Sequence, residues 1–233
     1  MASRIQGLQK LTLLDYPGKV AATVFFGGCN FRCPFCHNAD VVLRPTRDFD
    51  ERELDKLLLK RRGVLDGVCF TGGEPLMCDD ARAWMERAKE LGYLVKLDTN
   101  GSYPERLRRL LDAGLVDYLA MDVKNSPDAY AETVGIERFD LAPIRESVAL
   151  ILQGIVPYEF RTTVVRPLHT RERILSIGEW IAGAQAYYLQ AFVDSGNLIG
   201  DGLHAVEDEE MRQMCASVRK YVPNTHVRGI DQD

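Results

Sequence analysis

The sequence predicts an α/β fold: an incomplete (β/α)6 barrel with a parallel sheet open on one side. Three observations predict it. Short apolar, β-branched runs alternate with amphipathic stretches from end to end, the pattern of repeated βα units joined by right-handed crossovers. About six such units are legible, short of the eight that full closure needs. Polar clusters recur where the predicted strands end, the rim at which parallel barrels bind ligands. At 233 residues the chain reads as one domain, with an N-terminal extension over residues 1–19 and a partial barrel over 20–230.

Val20–Phe26 is the first buried strand and runs straight into a cysteine-containing loop. Asp50–Arg62 places Leu54, Leu57 and Leu58 at helical spacing, with Asp50 as its cap. The second strand, Gly67–Thr71, ends in Gly72-Gly73-Glu74-Pro75. A helix over Asp79–Leu91 stops at Gly92, and the third strand, Tyr93–Asp98, ends in Thr99-Asn100-Gly101. The helix Pro104–Ala113 has proline at its start and glycine past its end. Val116–Val123, the fourth strand, leads into Lys124. A helical region over about 127–153 is broken near Gly135 and Pro143. Glu159–Val165 (strand), Thr170–Ala182 (helix), Tyr187–Val193 (strand), Glu207–Tyr221 (helix) and Thr225–Ile230 (short strand) complete the order. Ser195–Gly202, with three glycines, reads as a flexible loop.

The loop after the first strand reads Gly27-Gly28-Cys29-Asn30-Phe31-Arg32-Cys33-Pro34-Phe35-Cys36-His37-Asn38. The spacing Cys-x3-Cys-x2-Cys folds into a tight loop in which the thiolates of Cys29, Cys33 and Cys36 converge. Three soft ligands hold three irons of a 4Fe–4S cube and leave the fourth iron without a protein ligand. An electron-transfer cluster takes four protein ligands, so the open iron implies that another molecule binds there. Zinc held by three cysteines and His37 is the competing reading. Against it, His37 directly follows Cys36, which strains both side chains toward one metal, and no second Cys-x2-Cys pair completes a site.

Six cysteines in a chain of this length, with no signal-peptide pattern, favour reduced thiols and a cytoplasmic location over disulfides. Cys69, Cys78 and Cys215 read as small buried residues. No apolar run reaches membrane-spanning length. The net charge of −5 argues against non-specific nucleic-acid binding. The basic clusters Lys60-Arg61-Arg62 and Arg106, Arg108, Arg109 read as solvated helix ends and faces. His169, His204 and His226 are scattered, which gives hydrolysis by a triad no support.

The cysteine loop resembles that of the radical S-adenosylmethionine (SAM) enzymes, and Gly72-Gly73-Glu74-Pro75 after the second strand matches the same superfamily. Leu14-Asp15-Tyr16-Pro17-Gly18-Lys19, Gly28–Cys33 and Cys36-His37-Asn38 resemble, more narrowly, the glycyl-radical-enzyme activases, above all the activating proteins of anaerobic ribonucleoside-triphosphate reductases. Cys36-His37-Asn38, Asp98–Gly101 and Asp122-x-Lys124 are also similar to pyruvate formate-lyase activating enzymes. The resemblance runs from about Ile5 to His169.

It implies a barrel of the radical SAM type, a cluster ligated by Cys29, Cys33 and Cys36, and SAM chelated to the open iron. An electron from the cluster splits the sulfonium, and the resulting radical abstracts hydrogen. No side chain is implied as catalytic, since the protein positions and shields. Phe35 is implied beside the adenine and His37 in contact with the cofactor. Gly73 falls at the cofactor's amino group, its neighbouring glycine allowing close backbone approach. Glu74 accepts from that amine, fixes its loop or starts a helix. Asn100 joins the cofactor contacts. Asp122, Val123 and Lys124 meet the carboxylate and ribose, although Lys124 also reads as an ordinary strand-end lysine. Arg161 aligns with a cofactor-contacting arginine, with Arg166 as rival, and Gln190 faces the site by position only.

Asp98, Thr99 and Asp122 resemble a monovalent-cation site of pyruvate formate-lyase activases, unless Asp98 caps a turn. The expected partners are a glycyl radical enzyme, above all an anaerobic (class III) ribonucleotide reductase, and an electron donor of flavodoxin or ferredoxin type. An open barrel leaves a lateral groove wide enough for a polypeptide loop, which favours that protein substrate. Two rival expectations are a radical SAM enzyme acting on a small molecule, such as a pterin in deazapurine synthesis, and a metal-binding structural module.

Overall fold

A computed structural model describes residues 4–45, 49–194 and 196–230. Its elements in chain order are β1 (Ile5–Thr12), β2 (Ala21–Phe26), α1 (Ala39–Leu43), α2 (Glu51–Lys60), β3 (Gly67–Gly72), α3 (Ala81–Glu90), β4 (Leu94–Thr99), α4 (Pro104–Asp112) and β5 (Tyr118–Asp122). There follow α5 (Tyr130–Val134), α6 (Ala142–Ile151), β6 (Tyr158–Arg166), α7 (Arg171–Trp180), β7 (Tyr187–Ala191), β8 (His204–Ala205), α8 (Asp208–Val218) and β9 (Thr225–Arg228). The hydrogen-bonded strand order is β1-β2-β3-β4-β5-β6-β7-β9. It is a mainly parallel sheet that does not close, as the sequence predicts.

The chain divides into two compact units. The first takes residues up to Asn30, Asn38–Thr99 and Glu105–Ala120; the second takes Phe31–His37, Asn100–Pro104 and Met121 onward. In the first unit β2, β3 and β4 are parallel, in register Ala21↔Gly67 and Gly67↔Leu94. Val24, Phe26, Val68, Phe70, Val95 and Leu97 share one face of these strands and are fully buried, and Ala21, Thr23, Cys69 and Lys96 on the opposite face are buried as well, so the parallel strands are covered on both sides. Helix α2 is capped as expected, with the Asp50 carboxylate accepting from Arg52 N–H at 3.0 Å, and buries Leu54, Leu57 and Leu58.

In the second unit β6, β7 and β9 are parallel, with Arg161↔Tyr188↔His226 in register. The Thr170 side chain accepts from Arg173 N–H and starts α7. The expected helical region over 127–153 is two helices: α5 ends at Gly135 with φ +67°, and Pro143 sits in the first turn of α6.

Three elements escape the sequence reading. Segment 1–19, read as an extension, contains β1, which pairs antiparallel with β2; residues 1–3 lie outside the described residues. Gln9, Lys10 and Leu11 are exposed in succession, so this edge strand carries little alternating period to detect. Helix α1 has five residues, too few for a helical period. Strand β8 has two, antiparallel to β6. Ser195, where the glycine-rich loop was expected to begin, lies outside the described residues.

Candidate active site

In the first unit β2 and β3 end level with each other, Phe26 opposite Gly72. Gly73 N–H donates to Phe26 O at 2.8 Å and Glu74 N–H to Gly28 O at 2.9 Å. A side chain cannot fit at this crossing: a Cβ on Gly73 would stand 1.9 Å from Gly28 O. Gly72, at φ +115°, would bring a Cβ to 2.5 Å from the Phe26 backbone. The glycines were expected to admit a cofactor; the structure gives them the prior task of letting the β3 exit cross the β2 exit. In the same unit Asn38 Nδ2 donates to Gly72 O at 3.0 Å and Gly28 N–H to Val41 O at 2.8 Å, which fixes the residues flanking the cysteines.

Glu74 is fully buried. Its Oε1 accepts from Leu76 N–H at 3.0 Å, capping a single 3₁₀ turn over Pro75–Met77, and from Thr99 Oγ1 at 2.8 Å. Of the roles expected for it, fixing the loop and starting a helical turn are both seen. Asp98 takes the ammonium of Lys96, itself buried on β4 beside Cys69. A lysine in a strand reads as exposed, so this buried charge leaves no mark in the local pattern.

In the second unit the segment 31–37 is seated by backbone contacts. Arg32 N–H donates to Val134 O at 2.8 Å, and a Cβ on Gly135 would lie 2.6 Å from Arg32 O. Cys36 N–H donates to Cys33 O at 3.1 Å, closing a tight turn, and Gly200 N–H reaches Pro34 O at 2.9 Å. Phe35 is buried and its ring makes a T-shaped pair with His169, centroids 6.0 Å apart. His37 Nε2 lies 2.7 Å from Val193 O, so that nitrogen carries the proton. Asn100 is buried and its Oδ1 accepts from Ser102 N–H at 2.9 Å.

The charged centre of this unit is Asp122. Its Oδ1 accepts from Arg161 Nε at 2.8 Å and its Oδ2 from Lys124 Nζ at 3.1 Å. Burial opposes its charge, yet the adjoining Arg161 and Lys124 outweigh it and hold the carboxyl well below the usual range. Lys124 likewise pays a burial penalty that Asp122 more than offsets, which raises its pKa. Arg166, the rival of Arg161, is engaged elsewhere, with His169 O at 2.9 Å and with Glu210. Val123 is buried and bonds β6 through both backbone groups: its N–H donates to Arg161 O and its C=O accepts from Thr162 Oγ1. The carboxylates expected to bind a monovalent cation thus already carry protein cations: Lys96 on Asp98, Arg161 and Lys124 on Asp122. Gln190 pairs with Thr163 and Arg228 in the sheet register.

Sequence reasoning passed over His169. It is fully buried, its Nε2 lies 2.8 Å from Lys124 O, and its Nδ1 accepts from Val165 N–H at 3.2 Å. Burial lowers its pKa to about 4, so the ring is neutral with the proton on Nε2. A lone histidine outside any motif carries no sequence signal for such a position.

Residues 23–181 match the model of the radical SAM superfamily. The chain belongs to that superfamily. It is 33% identical, over 99% of this chain and 98% of the other, to a Methanocaldococcus jannaschii protein provisionally named a glycyl-radical enzyme activating enzyme. Over 54% of each chain it is 32% identical to the pyruvate formate-lyase-activating enzyme of Clostridium pasteurianum. It is also 30% identical to a 7-carboxy-7-deazaguanine synthase of Thermococcus kodakarensis, over 46% of this chain and 50% of that one. Among solved structures, Streptococcus suis SuiB bound to S-adenosylmethionine superposes with a TM-score of 0.69 at 12% identity, covering 87% of this chain and 48% of SuiB.

A radical SAM enzyme uses a 4Fe–4S cluster and SAM, and the residues present fit both. All six cysteines are thiols, three of them in one short loop, a donor set matched to iron. Among the described residues no group of three or more His, Cys, Asp or Glu side chains is drawn around one point. The paired cations on Asp122 are the chemistry that recognises a carboxylate. No helix among the described residues is long and apolar enough to cross a membrane.

Proposed function

We propose that this protein is a radical SAM activase that cleaves SAM reductively and removes hydrogen from a glycine of a partner glycyl radical enzyme. The observation that carries the reading is likeness along 99% of the chain to a protein provisionally named as such an activase; the small-molecule synthase matches over 46%. The class III ribonucleotide reductase is the partner favoured by the resemblance of Leu14–Lys19 and Gly28–Cys33. A flavodoxin or ferredoxin supplies the electron, and the location is cytoplasmic.

In this reading Cys29, Cys33 and Cys36 hold the cluster, which supplies the electron once SAM is bound. Phe35, His37, Gly73, Glu74, Asn100, Val123 and the Asp122–Lys124–Arg161 network shape the cofactor's surroundings. Glu74 and Thr99 keep the Gly72–Gly73 turn in place. Arg161 and Lys124 present cations whose partner Asp122 fixes their direction.

The test is electron paramagnetic resonance on anaerobically reconstituted protein mixed with a glycyl radical enzyme from the same genome, SAM and dithionite. The expected result is the doublet of a glycyl radical. No doublet with any such enzyme, together with SAM cleavage that depends on a small heterocycle, would favour the small-molecule reading instead.

A further inference from the structure

His169 lies outside every motif that carries the family resemblance, yet one ring meets two of them. Its Nε2–H points at Lys124 O, 2.8 Å away and 45 residues earlier in the chain. Its other nitrogen accepts from Val165 N–H near the end of β6, the strand that carries Arg161. It packs T-shaped against the ring of Phe35, the aromatic between Cys33 and Cys36. The next residue along repeats the exchange in reverse: buried Asn125 donates from Nδ2 to Leu168 O at 3.0 Å and to Thr133 Oγ1 at 2.8 Å. Segments 124–125 and 168–169 are therefore locked by two reciprocal side-chain-to-backbone bonds.

We infer that His169 is a positioning residue of the cofactor site, one imidazole that sets both the Lys124 backbone and the Phe35 ring. The inference rests on the reading that Phe35 and the Asp122–Lys124 segment face SAM. A histidine serving only its own turn would need no bond to Lys124. The neutral state fits the role, because the ring must donate to a carbonyl with one nitrogen and accept from an N–H with the other. Nδ1 also lies 3.2 Å from Val165 O, so both of its neighbours belong to one residue at the end of β6.

Three substitutions separate the parts of the ring. His169→Phe keeps the aromatic contact with Phe35 and removes the donor. His169→Gln places an amide N–H where Nε2 stood. His169→Asn reaches only the Nδ1 position. Each is reconstituted anaerobically; iron and sulfide are counted, SAM binding is measured by equilibrium dialysis, and hydrogen exchange is followed at the amides of residues 124–126. The expected result is unchanged iron, SAM binding weakened about tenfold or more in the Phe and Asn variants, faster exchange at 124–126, and recovery of most of the affinity in the Gln variant.

If the Phe variant does not fold, the Gln and Asn variants decide, and equal affinities for those two overturn the inference. A folded Phe variant with wild-type SAM affinity and exchange overturns it as well. Wild-type SAM binding unaffected by Lys124→Ala would instead overturn the underlying reading of the Asp122–Lys124 segment, whatever the His169 variants do.

Discussion

The two units hold their sequence-predicted site residues with opposite materials. In the first, backbone does the work: two glycines let the exits of β2 and β3 cross, and a Cβ on Gly73 would stand 1.9 Å from Gly28 O. Around Asp122 in the second, charge does it: the carboxylate sits between Arg161 at 2.8 Å and Lys124 at 3.1 Å. The difference teaches what each part tolerates. A site made by close backbone approach fails on added volume and is indifferent to charge. One made by paired charges keeps its shape when a charge is removed, and leaves the partner ions uncompensated.

The sharpest way to break the comparison is Gly73→Ala. The clash is with backbone, which cannot swing aside, so the variant is expected to lose about 3 kcal/mol or more of stability and most of its iron on reconstitution. Iron per chain and the urea midpoint check it; a variant with full iron and an unchanged midpoint removes the case for a backbone-built cradle.

Next in size is Asp122→Asn, nearly the same shape without the charge. Iron content is expected to stay at the wild-type level while SAM affinity falls about a hundredfold, because Arg161 and Lys124 lose the carboxylate that orients them. Binding measured by equilibrium dialysis at two salt concentrations sharpens the point. An Asn variant that loses its cluster, as the Gly73 variant does, would erase the distinction between the units.

The contrast between these regions also explains what could be read from the chain. Strands β2 to β4 and their helices were legible because apolar spacing and glycine or proline punctuation agree along them, as at Pro104 and Gly114. The cysteine loop, Gly73 and Asp122-x-Lys124 were legible because motif chemistry sits in consecutive residues. Lys96 and His169 were not, because their roles depend on partners that only the fold supplies: Asp98 and Cys69 for one, Lys124, Val165 and Phe35 for the other. Strand β1 was hidden by its exposed Gln9, Lys10 and Leu11, and the further task of Gly72 and Gly73 by a crossing that no local pattern encodes.

The smallest expected effect is a pH dependence. His169 has a pKa of about 4 in the fold, against 6.5 for the ordinary side chain. Between these values the unfolded chain holds the extra proton, so stability is complete above about 6.5 and declines as pH falls toward 4. The slope near pH 5.5 is about 1 kcal/mol per pH unit from this one group. Urea midpoints from pH 7 to 5 are expected to fall more steeply for wild type than for His169→Phe. Parallel slopes would mean that His169 is not held neutral.

The central claim, hydrogen removal from a partner's glycine, is tested most directly by isotope transfer. A glycyl radical enzyme grown with Cα-deuterated glycine is mixed anaerobically with this protein, SAM and dithionite, and the 5′-deoxyadenosine is weighed by mass spectrometry. The account predicts deuterium in that product, in step with appearance of the protein radical. Unlabelled 5′-deoxyadenosine formed in the presence of the labelled partner, with no radical on it, contradicts the account.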